Sequence, residues 1–311
     1  MNQPLSQAEM RNWQRSMSTR IANLAREQDR GKDSIQFQLV FECFLSRIFS
    51  KPSSEWILKG GTALLMRNGS GRFTRDIDLA HPHKWEDTNQ IAQQLESLMQ
   101  RKGADPFTFK IVNVHSRQAG TFDGYTAPTA TATVKAFLGA RSFHSFRIDV
   151  TLGRHTQTPP ELVRVTPLLN LVTKEGGYEP FFVLVTPVEA HLADKICAMR
   201  ESHLNGVSTR FHDLADIIQI IRTQDFTAEK LLSILSHEVK RRRIDWPEKI
   251  TSPGSNWEKD YAQKSPTYAE LPKELHSLQG SLNYAGSCLN EVLQRKRIHG
   301  TWSHRTGCWS S

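Results

Sequence analysis

Asp76 and Asp78 lie two positions apart in the stretch DIDL, and together they suggest metal chemistry. Charged and apolar residues alternate here as in a β-strand. Alternate residues of a strand point to the same face, so both carboxylates should project together while Ile77 and Leu79 pack behind them. Adjacent carboxylates repel each other unless a cation lies between them, and their oxygen atoms suit Mg²⁺. The pair therefore predicts a magnesium site, with Mn²⁺ as an alternative ion.

A third carboxylate belongs to a second strand pattern, FRIDVTL at 146–152. Phe146, Ile148 and Val150 face one way, which leaves Asp149 on the polar face. If the two strands are neighbours, three carboxylates meet above one sheet. Such a group can hold the metal ions that phosphoryl and nucleotidyl transfer require. Exposed acids at a strand end are the alternative interpretation of Asp76 and Asp78 alone.

Gly60 and Gly61 precede this site, between the apolar segment Trp56–Leu58 and a short helical run. Glycines at a strand-to-helix turn let backbone amides approach phosphate oxygens, and the helix N-terminus adds a favourable dipole. A glycine pair followed by a helix, a turn and Asp-x-Asp favours a triphosphate site. The nearby cations that could clamp phosphate are Lys59, Arg67, Arg72 and Arg75.

Lys195 lies on the same helix face as Val188, Leu192 and Met199, which is unexpected for a lysine. Its stem could run along the core to water, or its ammonium could meet an anion in a cleft. With a triphosphate site proposed nearby, we favour the second interpretation. We then expect Lys195→Ala to reduce turnover severely and to leave thermal stability nearly unchanged.

Thr186, Pro187 and Glu189 predict the start of this helix as a capping box, which makes Glu189 structural. A second helix, TRFHDLADIIQIIR at 209–222, has an apolar face. Asp213 and Asp216 lie on its other side, so periodicity alone predicts solvated acids near a helix start. His212 is predicted to be a surface histidine.

The remaining patterns predict an α/β (α+β) fold. They are apolar helices at 34–50 and at 88–102, the latter ended by Gly103, a half-buried strand at 129–138, a mostly helical region from Thr186 to about residue 243, and a final helix at about 270–297.

Composition narrows the class of protein. The 311 residues are 38% hydrophobic, which supports a packed core, and no apolar run reaches the roughly 18 residues that a membrane span needs. The four cysteines are scattered, without metal-type spacing. We expect a cytoplasmic protein.

The net charge of +8 suits a polyanionic partner. Basic clusters lie at 240–243 and 295–299, although either could be only a solvated surface.

The motifs together resemble the AbiEii/AbiGii (MenT-like) nucleotidyltransferase toxins of the DNA polymerase beta-type nucleotidyltransferase superfamily. The first is LKGGTAL at 58–64 followed by Arg72-x-Thr74-x-Asp76-Ile77-Asp78-Leu79. Ile148-Asp149-Val150 resembles the second motif. The third motif is resembled by Glu189-x-x-x-x-Asp194-Lys195-Ile196-x-Ala198. The fourth is resembled by Arg210-x-x-Asp213-x-x-Asp216-Ile217.

The resemblance implies a nucleotidyltransferase-type mixed sheet with flanking helices in a catalytic domain at 1–160. A mostly helical domain at 161–311 would contribute Lys195 and Asp213 to the active site. It also implies that Gly61 and Thr62 touch phosphate, that Lys195 binds triphosphate and that Asp213 completes the site. The nucleotide-binding residues would be Lys59, Gly60, Gly61, Thr62, Arg75 and Lys195, and the metal ligands Asp76, Asp78 and Asp149.

By the same resemblance, we expect the toxin of a type IV toxin–antitoxin pair. It would be a monomer that transfers a nucleotide from an NTP to an RNA 3′ end, the acceptor stem of tRNA, and so blocks aminoacylation and translation. A basic surface fits tRNA, and a neighbouring gene would encode the antitoxin. The alternatives are a nucleotidyltransferase that acts on a small molecule or a protein, and an inactive nucleotide- or RNA-binding module.

Overall fold

The computed structural model describes residues 6–51, 53–72, 74–83, 85, 87–101, 103, 105–117, 129–152, 158–169, 179–203, 206–268 and 271–310. The α-helices are α1 (Gln7–Glu27), α2 (Lys32–Ile48), α3 (Gly60–Asn68), α4 (Thr88–Met99), α5 (Val188–Arg200), α6 (Phe211–Thr223), α7 (Ala228–Arg242), α8 (Trp257–Lys264) and α9 (Leu278–Leu293). The strands are β1 (Ile57–Lys59), β2 (Asp76–His81), β3 (Phe107–Arg117), β4 (Thr129–Leu138), β5 (Arg141–Leu152), β6 (Glu161–Val165), β7 (Phe181–Val185), β8 (Ser202–His203), β9 (Gly206–Val207), β10 (Phe226–Thr227), β11 (Thr301–Ser303) and β12 (Cys308–Ser310).

Seven strands form one mixed sheet in the order β3-β4-β5-β2-β1-β7-β6. The pairs β2–β5 and β1–β7 are parallel, and the other pairs in the sheet are antiparallel. The predicted α/β fold with a mixed sheet and flanking helices is confirmed. The sheet places β2 directly beside β5, which is the neighbourhood that the three aspartates require.

Alternation in the sequence accounts for the central strands. In β4 the apolar residues Ala130, Ala132, Val134 and Ala136 are fully or almost fully buried, while the residues between them face outward. The first core cluster joins this apolar side of the sheet to buried residues of α1, α2 and α4. The opposite side of β3, β4 and β5 therefore carries their polar side chains.

Gly103 has a role that differs from the predicted one. Helix α4 ends at Met99, and the amide of Gln100 donates to Glu96 and Leu98. A Cβ at Gly103 would lie 2.5 Å from a carboxylate oxygen of Asp105, which is paired with buried Arg47. The glycine is therefore needed for this close approach and is not the helix cap.

The start of α5 also differs from prediction. Pro187 is the N-cap and no side chain caps the helix, so the predicted capping box is wrong. The amide of Thr186 donates to the carbonyl of Leu58 and extends the contact between β7 and β1. Glu189 is buried and accepts a hydrogen bond from the amide of Thr227. This contact of Glu189 is structural, although it is not the predicted capping contact, and the absence of a catalytic role stays a prediction.

A second core cluster joins α5, α6, α7, α8 and α9 with the short C-terminal hairpin β11–β12. Leu64 of α3 belongs to this cluster, while Ala63 and Leu65 belong to the first, so α3 packs between the two cores. The final helix is shorter than predicted, because a 3-10 turn at Lys273–Leu275 precedes it and residue 270 lies outside the described residues. Within the described ranges, every helix is too short or too polar to cross a bilayer.

The division into domains stays a prediction. Strands β6 and β7 belong to the seven-stranded sheet, so a boundary after residue 160 would separate two strands from their sheet. We propose that the division falls after β7, near residue 186, where the helices of the second core begin.

Candidate functional site

The three aspartates lie on adjacent strands in register. Asp78 is the Cα partner of Asp149 across the parallel pair β2–β5, and Asp76 is the partner of Arg147. Lys59, at the end of β1, is the partner of Asp78 on the other side. The expected neighbourhood of the two acidic strands is therefore confirmed, whereas the catalytic roles of the acids stay predictions.

The glycine turn touches this acidic row. Gly60 is the first residue of α3 and has φ +61, a conformation that favours glycine. A Cβ at this position would lie 1.9 Å from Oδ2 of Asp78, so only glycine lets the backbone pass so close to that carboxylate. A Cβ at Gly61 would lie 2.8 Å from Nη2 of Arg72. The N-terminus of α3 is thus held between an aspartate and an arginine.

Thr62 is fully buried, and its hydroxyl donates to the backbone carbonyl of Asp76 at 2.7 Å. This hydrogen bond ties α3 to the start of β2. The side chain is therefore engaged within the fold, so a phosphate contact at Thr62 would use its backbone amide.

Each acid has a different environment. Thr131 donates to Asp149 at 2.6 Å, and Thr74 donates to Asp76 at 3.0 Å. Arg147 lies 3.6 Å from Asp76. Burial raises the pKa of Asp78, and the charges of Asp76 and Asp149 act in the same direction, against Lys59 and Lys195.

The donor chemistry of this site fits a hard divalent cation. A cation would offset the burial and the repulsion that raise the pKa of Asp78. In the part of the chain that the structure describes, however, no three His, Cys, Asp or Glu side chains are close enough to form a metal site. Thr74 and Arg147 hold Asp76, and Thr131 holds Asp149, so a shared ion would require these carboxylates to turn.

A buried network of opposite charges adjoins the glycine turn. The ammonium of Lys195 lies 2.7 Å from Asp213 and 2.9 Å from Asp216. Nε and Nη2 of Arg72 donate to the two carboxylate oxygens of Asp216 at 2.6 and 3.0 Å. All but Arg72, which is partly exposed, are nearly inaccessible to solvent. We call Arg72, Lys195, Asp213 and Asp216 the buried ion network.

The prediction of solvated acids on α6 is wrong, because Asp213 and Asp216 are 0% and 1% exposed. Burial alone would raise the pKa of Asp216, but Lys195 and Arg72 outweigh it and hold that pKa below its usual value. Lys195 and Arg210 do the same for Asp213. Both carboxylates therefore stay ionised inside the protein.

Lys195 is buried, so its ammonium does not reach water along the core. Burial would lower its pKa, but Asp213 and Asp216 raise it above the usual value. The anions that Lys195 meets in the structure are these two aspartates. Its expected contact with triphosphate stays a proposal.

Residues around Asp213 close the network. Nε of Arg210 donates to Asp213 at 2.5 Å, and Nε2 of His212 lies 3.5 Å from the same carboxylate. The His212 side chain is 38% exposed, so the predicted surface position is only partly correct. Burial lowers its pKa to about 4, so the imidazole is neutral at pH 7.

The other predicted phosphate clamps divide into two kinds. Arg67 donates to the carbonyl of Thr186 and pairs with Glu161 at 2.7 Å, so it links α3 to the sheet. Arg75 is exposed immediately before Asp76, and its predicted nucleotide contact stays a proposal. The sequence does not distinguish Arg72 from the other nearby cations, and it predicts only a solvated acid at Asp216. The spacing of three between Asp213 and Asp216, which places both near one side of a helix, was the available signal.

The two basic clusters are partly neutralised. Arg242 is buried and pairs with three carboxylates, so the cluster at 240–243 is not simply a solvated surface. In the cluster at 295–299, Arg295 stacks over Trp246, Arg297 pairs with Glu291, and His299 lies 2.8 Å from a carboxylate oxygen of Glu229.

Comparison with known proteins gives one family match. The model of the nucleotidyl transferase AbiEii toxin family of type IV toxin–antitoxin systems matches residues 43–286, more than half of the chain. No curated protein matches the sequence.

The similar solved structures include three from two bacteria. The nucleotidyltransferase toxin MenT4 of Mycobacterium tuberculosis is 17% identical, with 89% of this chain and 88% of that chain covered and a TM-score of 0.48. A putative nucleotidyltransferase from H. pylori is 14% identical, with coverages of 86% and 96% and a TM-score of 0.44. JHP933 from Helicobacter pylori is 15% identical, with coverages of 86% and 94% and a TM-score of 0.44.

Proposed function

This chain belongs to the AbiEii family of nucleotidyltransferase toxins of type IV toxin–antitoxin systems, and we propose that it transfers a nucleoside monophosphate from an NTP to the 3′ end of an RNA. The acceptor is the acceptor stem of tRNA, so the transfer blocks aminoacylation and translation. The observation that supports this most directly is the pairing of Asp78 with Asp149 beside the glycine turn.

In this proposal the NTP phosphates bind at the N-terminus of α3. The amides of Gly60, Gly61 and Thr62 lie in its first turn, where helix amides lack intrahelical acceptors. Lys59 and Arg75 flank the turn and add positive charge. These five residues would therefore bind the nucleotide.

Asp76, Asp78 and Asp149 would hold Mg²⁺, with Mn²⁺ as an alternative ion. Bound there, the ion would neutralise triphosphate charge and favour ionisation of the attacking hydroxyl. The 3′ oxygen forms a bond to the α-phosphorus of the NTP, the bond from that phosphorus to the bridging oxygen breaks, and pyrophosphate leaves. Asp149, oriented by Thr131, accepts the proton of the 3′ hydroxyl.

Lys195 and Asp213 act through the buried ion network. Burial raises the pKa of Asp78, and the charge of Lys195 opposes that rise, which favours the ionised carboxylate that a cation requires. Asp216, which Lys195 contacts, holds Arg72 against Gly61. We propose that the network fixes the glycine turn relative to the acids, and that Lys195 also faces the triphosphate when it is bound.

The proposal includes two further expectations. A neighbouring gene encodes the antitoxin that counteracts this activity, and the enzyme acts as a monomer. Co-expression with that gene should restore growth of a host that makes the protein, and sedimentation should give the mass of one chain.

The test is incubation of the full chain with labelled NTPs, Mg²⁺ and total tRNA. We expect label in tRNA, loss of labelling without the metal, and loss of labelling in Asp76→Ala. Label in protein or in a small molecule, with none in RNA, would instead favour the alternative acceptors. If Asp76→Ala kept both toxicity and labelling, the acidic site would not be the active site.

A further inference from the structure

The outward side of β3, β4 and β5 continues directly from the acidic site. Lys110, Asn113 and His115 of β3, Lys135 of β4 and Arg147 of β5 are exposed there, whereas the inward residues of these strands belong to the first core. We call this outward surface the open sheet face. It is a strand surface of mostly polar side chains that begins at Asp149.

Strand register orders these side chains in rows across the sheet. Asp149 is paired with Thr131, which is paired with His115. The next row is Arg147, Thr133 and Asn113, and the row after it is Ser145, Lys135 and Lys110. Since a strand rises about 3.3 Å per residue, the lysine row lies roughly 13 Å along the strands from Asp149. A ligand that reached from the acids to these lysines would have to be longer than a single phosphate group.

The charge of the open sheet face is one-sided. Lys110, Lys135 and Arg147 are exposed on it, and the only acid in the three strands is Asp149. Lys110 and Lys135 are direct cross-strand partners, and like charges in that position destabilise a sheet. Within the described ranges neither lysine has a carboxylate partner, so a bound anion would relieve their repulsion.

An aromatic side chain lies beside the lysine pair. Phe137 is partly exposed on this face, and the ammonium of Lys110 lies 5.7 Å from the centre of its ring. Proteins that bind single-stranded nucleic acid combine cations that contact the backbone with aromatic rings that stack on bases. The open sheet face has both features, at the distance from the acids that a polynucleotide chain would span.

We propose that the open sheet face binds the single-stranded 3′ segment of the RNA acceptor and leads its terminal hydroxyl to Asp149. Lys110 and Lys135 contact phosphates, Phe137 stacks on a base, and Arg147 exchanges its contact with Asp76 for a phosphate. This inference rests on the proposed RNA acceptor and adds the surface that recognises it. The NTP, in contrast, binds at the N-terminus of α3 and does not need these lysines.

The test compares two double variants of the full chain. Lys110→Ala/Lys135→Ala removes the pair, and Lys230→Ala/Lys259→Ala removes two exposed lysines of α7 and α8. Anisotropy of fluorescent tRNA, measured without NTP, gives affinity at several salt concentrations. We expect the first variant to bind about tenfold more weakly, and its salt slope to fall by about 1.4, since each phosphate contact of a single strand contributes about 0.7.

Kinetics provide a second readout. The same variant should raise KM for tRNA and leave KM for the NTP unchanged, and its melting temperature should not fall, because a like-charged pair has been removed. Phe137→Leu should weaken tRNA binding about tenfold with an unchanged salt slope, since stacking releases no counterions.

The inference is overturned if Lys110→Ala/Lys135→Ala and Lys230→Ala/Lys259→Ala bind tRNA with the same affinity and the same salt slope. That result can coexist with labelled tRNA in the transfer assay, in which case only the open sheet face is rejected. If the unaltered chain labels no RNA, the proposed function itself fails, and the two failures are thus distinguishable.

Discussion

Asp216 accepts hydrogen bonds from Arg72 on both carboxylate oxygens, at 2.6 and 3.0 Å. This contact connects helix α6 of the second core to the loop before β2. The same carboxylate lies 2.9 Å from the ammonium of Lys195. Nη2 of Arg72, which donates to Asp216, also lies next to Gly61, 2.8 Å from where a Cβ of that residue would be. Through its contacts with Arg72 and Lys195, Asp216 therefore connects the glycine turn to α5 and α6.

Replacing Asp216 with Asn should destabilise the fold. The amide keeps the shape of the side chain but leaves Lys195 and Arg72 without that charge partner, which costs about 3–5 kcal/mol for a buried pair. Urea unfolding followed by circular dichroism measures this loss. Asp245→Asn, at an exposed position, should change the free energy of unfolding by less than about 0.5 kcal/mol. Equal stability of the two variants would show that the buried ion network contributes nothing.

Lys195→Ala should lower both stability and turnover. The sequence alone predicts little change in stability, but the structure places the ammonium between two buried carboxylates, so its removal should cost about 3–5 kcal/mol. If the network positions the glycine turn, turnover of the folded variant should fall about a hundredfold. The rate is measured at low temperature, where the variant remains folded. An unchanged rate there would limit Lys195 to a structural role.

Two glycine variants separate backbone strain from a collision with Asp78. Gly60 and Gly69, at the two ends of α3, both have positive φ, so an alanine at either costs about 1–2 kcal/mol. Only at Gly60 does the new Cβ meet Asp78, whereas nothing lies within 4 Å at Gly69. We expect backbone strain to lower the free energy of unfolding by a similar amount in both variants. Transfer activity should fall much more in Gly60→Ala than in Gly69→Ala. Matching activities in the two variants would exclude a role for the Gly60–Asp78 contact.

Asp78→Asn should stabilise the protein at neutral pH. The pKa of Asp78 is raised in the folded state, so its contribution to stability is fully present below the unfolded value of 3.8 and is lost as the pH rises through the folded value. Asp78→Asn should therefore be more stable than the unaltered chain only at pH values above the interval between these two pKa values. Thermal melts from pH 3 to pH 8 measure the difference.

The same variant tests the metal. Mg²⁺ should raise the melting temperature of the unaltered chain, because a cation that binds only the folded state stabilises it. Asp78→Asn should lose most of this rise, and Asp245→Asn should keep it. A rise of the same size in all three proteins would place the ion elsewhere.

The sequence was most informative where one face of a strand is buried. Alternation in 129–138 and 146–152 predicts two strands with the correct inward residues, because burial on one side imposes a period of two. It also places Asp149 on the same side as the acids of β2, and the parallel register confirms that arrangement. Partners in space follow less directly, since alternation does not say which strand lies next to which.

The sequence was misleading where charged residues are buried together. Periodicity assigns Asp213 and Asp216 to solvent because it treats every acid as exposed. Their partners, Lys195 and Arg72, come from another helix and from a loop before the sheet. The capping box at Thr186 failed for a related reason, because the Thr186 amide bonds to β1, which lies far away in the chain.

Helix α3 packs between the two cores, and this arrangement has a consequence for the timing of synthesis. A ribosome that has made the first 185 residues has produced the sheet, its acids and the glycine turn, but neither Lys195 nor Asp216. The apolar surface that receives Leu64 is also still untranslated. We therefore expect a nascent chain to be inactive until the helices of the second core have been translated.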